Sequence, residues 1–161
     1  MALGTLLFDP FVTECIVWSN VMDQSKETNS DCTGAVDLPV FGLVDLSTSE
    51  VSLVRTGAMQ PRPANVLGNN RAYAMHVFDD AAAPRYAIGD IVIVDPIRPA
   101  QAGQWVVLGI RRTDSADLVA EIWHLDEIAE TVCVSRTDGT TASFDKDDLA
   151  SIDLIVGTQL A

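Results

Sequence analysis

Residues 73–96 read YAMHVFDDAAAPRYAIGDIVIVDP, and they carry the clearest structural signal in the chain. Apolar and polar residues alternate over 72–78, which is typical of a half-buried strand. Over 90–95, isoleucine and valine occupy both alternating sets of positions, which is typical of a strand buried on both faces. The stretch therefore predicts two strands joined by a loop around residues 79–89, and we expect the second strand to be central in its sheet.

Further short apolar runs bounded by turn residues extend the same pattern along the chain. The dipeptide Asp138-Gly139 is a good hairpin signal, and after residue 38 only 145–151 has a weak helical character. The sequence predicts a mostly-β single domain over 38–161, preceded by an N-terminal arm and linker over 1–37. The remaining predicted strands cover 39–44, 51–55, 105–110, 118–125, 131–135 and 152–156.

The charge balance excludes two classes of partner. The chain has 10 Lys and Arg residues against 23 Asp and Glu residues, which gives a net charge of −13. Binding to phosphate backbones depends on basic side chains that release counterions. We therefore expect no direct contact with nucleic acid and none with an anionic membrane surface.

The sequence predicts no cofactor and no metal site. Three cysteines without a Cys-x-x-Cys spacing form neither a disulfide framework nor a zinc site, so we expect reduced thiols and a cytoplasmic setting. Two acidic groups attract attention, and we interpret both as solvated carboxylates. They are Asp79, Asp80 and Asp90, and Asp145, Asp147, Asp148 and Asp153.

The stretch 73–96 resembles part of the C-terminal domain of LexA-like repressors and UmuD-like proteins, the self-cleaving Ser-Lys peptidases. Its turn, proline and strand residues all match in one register. The similarity covers about 38–160 and implies a LexA C-terminal-domain-like fold of the β-clip type. The residues that carry it are Tyr73, Ala74, Val77, Asp80, Pro84, Arg85, Tyr86, Gly89, Asp90, Val92, Val94, Asp95 and Pro96.

The chain departs from the family at each position that carries its chemistry. The resemblance places the nucleophilic serine at Ala81, the general-base lysine at Trp123 and the cleavage site at Leu46-Ser47. A Ser-Lys mechanism needs a hydroxyl group that attacks and a neutral amine that accepts its proton. We therefore predict that the chain is not an enzyme. Trp123 either fills the former cleft as a core residue or anchors a partner.

The resemblance also implies self-association, because the family domain dimerises partly through its C-terminal strand. Ile152, Leu154 and Ile155 could supply such a strand here. Since the sequence leaves no room for a DNA-binding domain, we predict a phage- or prophage-encoded assembly module such as a virion decoration or structural subunit. Its partner would be a second copy or another viral or regulatory protein, in the cytoplasm or in the virion.

Two alternatives stay open at this point. One is a regulatory pseudo-peptidase that binds a repressor or another protein. The other is a hydrolase with relocated catalytic groups, built either from His76 or His124 with a serine and a carboxylate, or from the acidic residues 79, 80 and 90 around a metal. Labelling by a serine-reactive phosphonate, or a metal-dependent melting shift, would favour the hydrolase.

Residues 1–24 are predicted to be an attachment arm. They contain Phe8, Phe11 and Trp18 among other apolar residues, and a polar stretch over 23–37 separates them from the domain. Burying each such side chain stabilises by about 1.5–3 kcal/mol, whereas ordering each residue costs about 1–2 kcal/mol. Burial on a partner therefore offsets the ordering cost better than isolated burial, although the arm could also add a strand or helix to its own domain.

Deletion of residues 1–24 separates these two interpretations of the arm. If the arm serves assembly, the shortened chain keeps its circular-dichroism spectrum and its melting temperature but no longer enters the oligomer or particle in size-exclusion chromatography. Unfolding of the shortened chain, or its normal assembly, would contradict the prediction.

Overall fold

The computed structural model describes residues 37–43, 53–111 and 118–161, all within one compact unit, Gly34–Ala161. Strands dominate these residues, and two short 3-10 helices, Ala64–Val66 and Lys146–Asp148, are also present. The prediction of a mostly-β domain is confirmed at this level. The strands are β1 Leu38–Leu43, β2 Leu53–Gln60, β3 Tyr73–His76, β4 Ile91–Asp95, β5 Trp105–Arg111, β6 Leu118–Ile128, β7 Thr131–Ser135, β8 Thr141–Asp145 and β9 Leu149–Gln159.

The described strands form one open nine-stranded sheet in the order β2-β1-β3-β4-β9-β5-β6-β7-β8. Strands β1 and β3 pair in parallel, and the other neighbours pair antiparallel. As its apolar residues on both faces predict, β4 lies inside the sheet, and Val92, Ile93 and Val94 are buried. The hairpin at Asp138-Gly139 is confirmed, because Gly139 adopts a φ of 88° in the turn between β7 and β8.

Strand β9 joins the two halves of the sheet by pairing with two strands in succession. Its first half pairs with β5 from Leu149 to Leu154, and its second half pairs with β4 from Leu154 to Gln159. Leu154 therefore has a neighbour on each side, Asp95 and Val106. The sheet is continuous only through this strand.

Each half of the sheet has an apolar cluster of its own. On the β4 side, Leu38, Val40, Val66, Ala72, Ala74 and Ile93 pack together, with Val156 of β9 against them. On the β5 side, the cluster consists of Val106, Leu108, Trp123, Leu125, Val132, Val134 and Leu149. Because β9 contributes to both clusters, burial of its apolar residues stabilises both halves at once.

The structure differs from the sequence prediction at two elements, β8 and the turn that follows it. Strand β8 falls in a stretch without a predicted strand, because its residues alternate only between exposed and half-buried positions and it lies at an outer edge of the sheet. The weak helical signal over 145–151 corresponds to a single 3-10 turn, Lys146–Asp148, between β8 and β9.

The position of Asp153 also differs from the expectation. Its carboxylate was expected in solvent, whereas the residue is buried with 4% exposure. The Tyr73 hydroxyl donates to its Oδ2 over 2.9 Å, and the Ser151 hydroxyl donates to the same oxygen over 3.2 Å. Burial raises the pKa of the Asp153 carboxyl above its ordinary value, which the hydrogen bonds from Tyr73 and Ser151 partly oppose. Burial and the nearby carboxylate also raise the pKa of Tyr73, so its hydroxyl stays a donor.

The raised pKa of Asp153 predicts a specific pH dependence of stability. Since the folded chain holds this proton more tightly than the unfolded chain, whose Asp pKa is about 3.9, the group adds stability as pH falls through its folded pKa towards about 3.9. The substitution Asp153→Asn removes this contribution. In denaturant titrations, the free energy of unfolding of D153N minus that of the wild type should therefore be more positive at pH 7 than at pH 4. An equal difference at both pH values would contradict the prediction.

The companion substitution Tyr73→Phe keeps the charge and removes one donor. Because it leaves a buried carboxylate less well satisfied, we expect it to cost about 1–3 kcal/mol of unfolding free energy at pH 7.

Candidate functional site

The loop between β3 and β4 holds Ala81, the position that the resemblance assigns to the nucleophile. The Asp79 carboxylate accepts the Ala81 amide over 3.0 Å, and the Ala83 amide donates to the Asp80 carbonyl over 2.9 Å. The next residue, Ala82, is fully buried. The loop thus has an ordered turn in which residue 81 presents a methyl group and no nucleophilic atom.

Aromatic contacts hold this loop against the β5–β6 half of the sheet. The Tyr86 ring meets the Trp105 ring edge-on, with centroids 5.5 Å apart, and Trp105 meets the His124 ring in the same way. The Thr137 hydroxyl, in the turn between β7 and β8, donates to the Ala83 carbonyl. Strand β5 and the turn between β7 and β8 therefore contact the loop directly, and His124 of β6 packs behind Trp105.

Trp123, at the position that the resemblance assigns to the lysine, is a core residue with 4% exposure. The Arg136 guanidinium lies 4.0 Å from the centroid of its ring and donates to Glu121 Oε2 over 2.7 Å. The Trp123 indole nitrogen donates to the same oxygen over 2.9 Å. An indole and a guanidinium cannot accept a proton from a nucleophile at ordinary pH, so these two groups provide packing and charge pairing but no general base.

The structure brings His124, Asp126 and Ser135 together, which bears on the hydrolase alternative. Asp126 lies at the β-bulge of β6 between Leu125 and Glu127. Its Oδ1 lies 2.8 Å from His124 Nδ1 and accepts the Ser135 hydroxyl over 2.9 Å. In a serine hydrolase the hydroxyl donates to the histidine, whereas here it donates to the carboxylate. This arrangement leaves Ser135 without activation by His124.

Two acidic residues of the loop, Asp79 and Asp90, have structural partners, and the burial of Asp90 corrects the expectation that its carboxylate is solvated. Asp90 is buried, and its carboxylate accepts the amides of Ala87 over 2.9 Å and Ala161 over 3.1 Å. Within the described residues, no group of three or more His, Cys, Asp or Glu side chains is arranged to hold a metal ion.

Strand β9 presents the second candidate site, an edge that is open over half its length. Beyond Leu154, residues 155–159 pair with β4 on one side, and no strand of the described chain pairs with them on the side where β5 ends. One carbonyl here, that of Val156, accepts Asn65 Nδ2 over 3.0 Å. We call residues 155–159 with this open side the half-edge.

The residues predicted to form an open C-terminal edge strand lie in an interior strand of the sheet. Ile152 and Leu154 belong to the half of β9 that pairs with β5, and Leu154 is buried, so neither lies on an open edge beyond β5. Ile155 is half-buried and begins the half-edge. The prediction of a strand at 152–156 is therefore right in kind, but the strand is interior and longer. Phe8, Phe11, Trp18, Leu46 and Ser47 lie outside the described residues.

Comparisons with known proteins give no family assignment: no protein-family model matches this chain, and no curated protein matches it. The likeness to LexA-like domains therefore stays a prediction from the residues of 73–96. Among the described residues, no helix has the length and hydropathy needed to cross a bilayer.

The residues at the positions that the resemblance assigns to the nucleophile and the base, Ala81 and Trp123, predict the absence of self-cleavage. Prolonged incubation at alkaline pH should leave the chain intact around Leu46 and Ser47, and so should the same incubation of Ala81→Ser. The restored hydroxyl would still lack a base, since Trp123 is packed under Arg136. Intact mass spectrometry measures the outcome, and a cleaved A81S chain would show that the base lies elsewhere.

Proposed function

We propose that this chain is a non-enzymatic self-association module with a LexA-like fold of the β-clip type, encoded by a phage or prophage and used as a virion decoration or structural subunit. The half-edge of β9 is the observation that carries the proposal. On the side away from β4, its backbone N–H and C=O groups have no strand partner among the described residues, and unpaired edges of this kind favour pairing with another strand.

A second copy of the chain satisfies the half-edge in the simplest way. Two copies related by a two-fold axis present the same surface to each other, and two identical strands then pair antiparallel. The side chains there are suited to such a contact, because Ile155 and Val156 are half-buried and Thr158 is exposed. Pairing would extend one sheet across two copies.

The former catalytic positions support a role without chemistry. Ala81 has no nucleophilic atom, and the Trp123, Arg136 and Glu121 group contributes packing and an ion pair with N–O distance 2.7 Å. The regulatory alternative uses the same half-edge, because a strand donated by another protein pairs with backbone groups irrespective of its sequence.

Two substitutions to lysine, one on each of two open edges, test the proposal. Thr158 lies on the half-edge and Ser143 on the outer strand β8, and both are exposed. Lysine on an edge strand disfavours edge-to-edge pairing. We expect Thr158→Lys to shift the chain from dimer to monomer in light scattering coupled to chromatography, with at least about a tenfold rise in Kd, and Ser143→Lys to leave the dimer intact.

The salt dependence provides an independent readout. Because both copies carry a charge of −13, association should strengthen as salt rises from about 0.05 to 0.5 M. A monomeric wild-type chain at all salt concentrations, or dissociation by S143K in place of T158K, would contradict self-association through β9. A monomer that captures a strand from another protein would favour the regulatory alternative.

A further inference from the structure

The carboxylate of Asp90 connects the end of β9 to the loop between β3 and β4. The residue is 5% exposed, and the two oxygens of its carboxylate have different partners. Oδ2 accepts the Ala87 amide, within the loop, over 2.9 Å, and Oδ1 accepts the Ala161 amide, just beyond β9, over 3.1 Å. One buried side chain therefore binds both segments.

The backbone around Asp90 explains why a side chain acts at this point. The Asp90 carbonyl accepts the Val77 amide over 2.8 Å, and the Asp90 amide donates to the Ala87 carbonyl over 3.0 Å. The last backbone pair between β4 and β9 is Ile91 with Gln159. Because the backbone groups of Asp90 are bound elsewhere, its carboxylate supplies the next acceptor for the end of β9.

Gly89 packs closely against the same end of β9. Its backbone has a φ of 96°, a conformation that favours glycine, and its amide donates to the Val77 carbonyl over 2.9 Å. A β-carbon at residue 89 would lie 3.3 Å from the Ala161 β-carbon, which is tighter than an ordinary contact. The loop and the end of β9 therefore leave no room for a side chain here.

Two further side chains bind the half-edge itself. The Gln60 side-chain amide donates to Gln159 Oε1, and Asn65 Nδ2 donates to the Val156 carbonyl over 3.0 Å. Together with the ladder to β4, these contacts hold residues 155–159 in an extended conformation. The half-edge is thus ordered in a single copy of the chain.

We propose that Asp90 is the positioning residue of the half-edge: its carboxylate keeps the end of β9 on β4, so that residues 155–159 present an ordered strand to a second copy. This inference rests on the proposed self-association and names the side chain that prepares the edge for it. A strand that is ordered before pairing loses less conformational entropy when it pairs. Since each copy of a two-fold dimer contributes one such strand, loss of the carboxylate acts twice in each dimer.

The substitution Asp90→Asn tests the inference with little change in side-chain shape. It replaces one acceptor oxygen with an NH2 group, which cannot accept a backbone amide. We expect amide hydrogen exchange of residues 158–161 to become at least about tenfold faster, and the Kd of the dimer to rise at least about tenfold. Mass spectrometry measures the exchange at a protein concentration well below the Kd, so that pairing between copies does not contribute.

Asp79→Asn is the matched control for this substitution. Asp79 belongs to the same loop, and its Oδ1 accepts the Ala81 amide, inside the loop, over 3.0 Å. D79N therefore removes a carboxylate of the loop without touching the end of β9. It should leave both the exchange of residues 158–161 and the Kd of the dimer at their wild-type values.

Gly89→Ala tests the same contact while the carboxylate stays in place. Its methyl group would press on Ala161, whereas Gly139→Ala adds a methyl group at a similar φ of 88° with no heavy atom of a non-neighbouring residue within 4 Å. The backbone strain is comparable in the two variants. Only G89A should therefore speed exchange at residues 158–161 and weaken the dimer.

The possible outcomes separate this inference from the proposed function. Unchanged exchange at residues 158–161 in D90N, or exchange that rises equally in β1 and β3, would show that Asp90 does not position the end of β9. Faster local exchange with an unchanged Kd would overturn the inference and leave the proposed function standing. If the wild-type chain is monomeric at all concentrations, the proposed function fails and a role of Asp90 in pairing fails with it.

Discussion

The fold depends on the requirement that the backbone groups of one strand, β9, find partners on both sides. Leu149–Leu154 meets this requirement with β5, and Leu154–Gln159 meets it with β4, so one strand links two halves that share no other strand. Each half encloses its own apolar cluster, and β9 contributes to both. The same offset between the two pairings leaves residues 155–159 with a strand neighbour on one side only, as far as the described part of the chain shows. Continuity of the sheet and an open edge therefore have a common origin.

The surroundings of Trp123 in β6 are stabilised by packing and charge pairing. The Trp123 ring packs among aliphatic side chains and under Arg136, whose charge is balanced by Glu121. On the opposite face of β5 and β6, Tyr86, Trp105 and His124 form a row of edge-to-face rings that holds the loop of Ala81 in place.

Local pattern was sufficient for some elements and insufficient for others. Strand β4 could be predicted because isoleucine and valine on both faces indicate a strand that is buried on both sides. The hairpin at Asp138-Gly139 could be predicted because adjacent residues encode its turn. Strand β8 lacks an apolar face, and Asp153 stands in an acidic stretch that indicates solvent. Its burial depends on Tyr73, a distant residue in sequence. The half-edge depends on where β4 and β5 stop, which no single segment encodes.

The interior place of β9 also determines when the domain can fold during synthesis. Strands β1 to β4 and β5 to β8 leave the ribosome before residues 149–159, yet their two sheets are joined only by that strand. Until it is translated, β4 and β5 each expose an unpaired edge, and a nascent chain in this state is prone to pair with the wrong neighbour. Closure of the sheet is thus a late event that joins residues far apart in sequence, which lowers the folding rate relative to a domain with mainly local contacts.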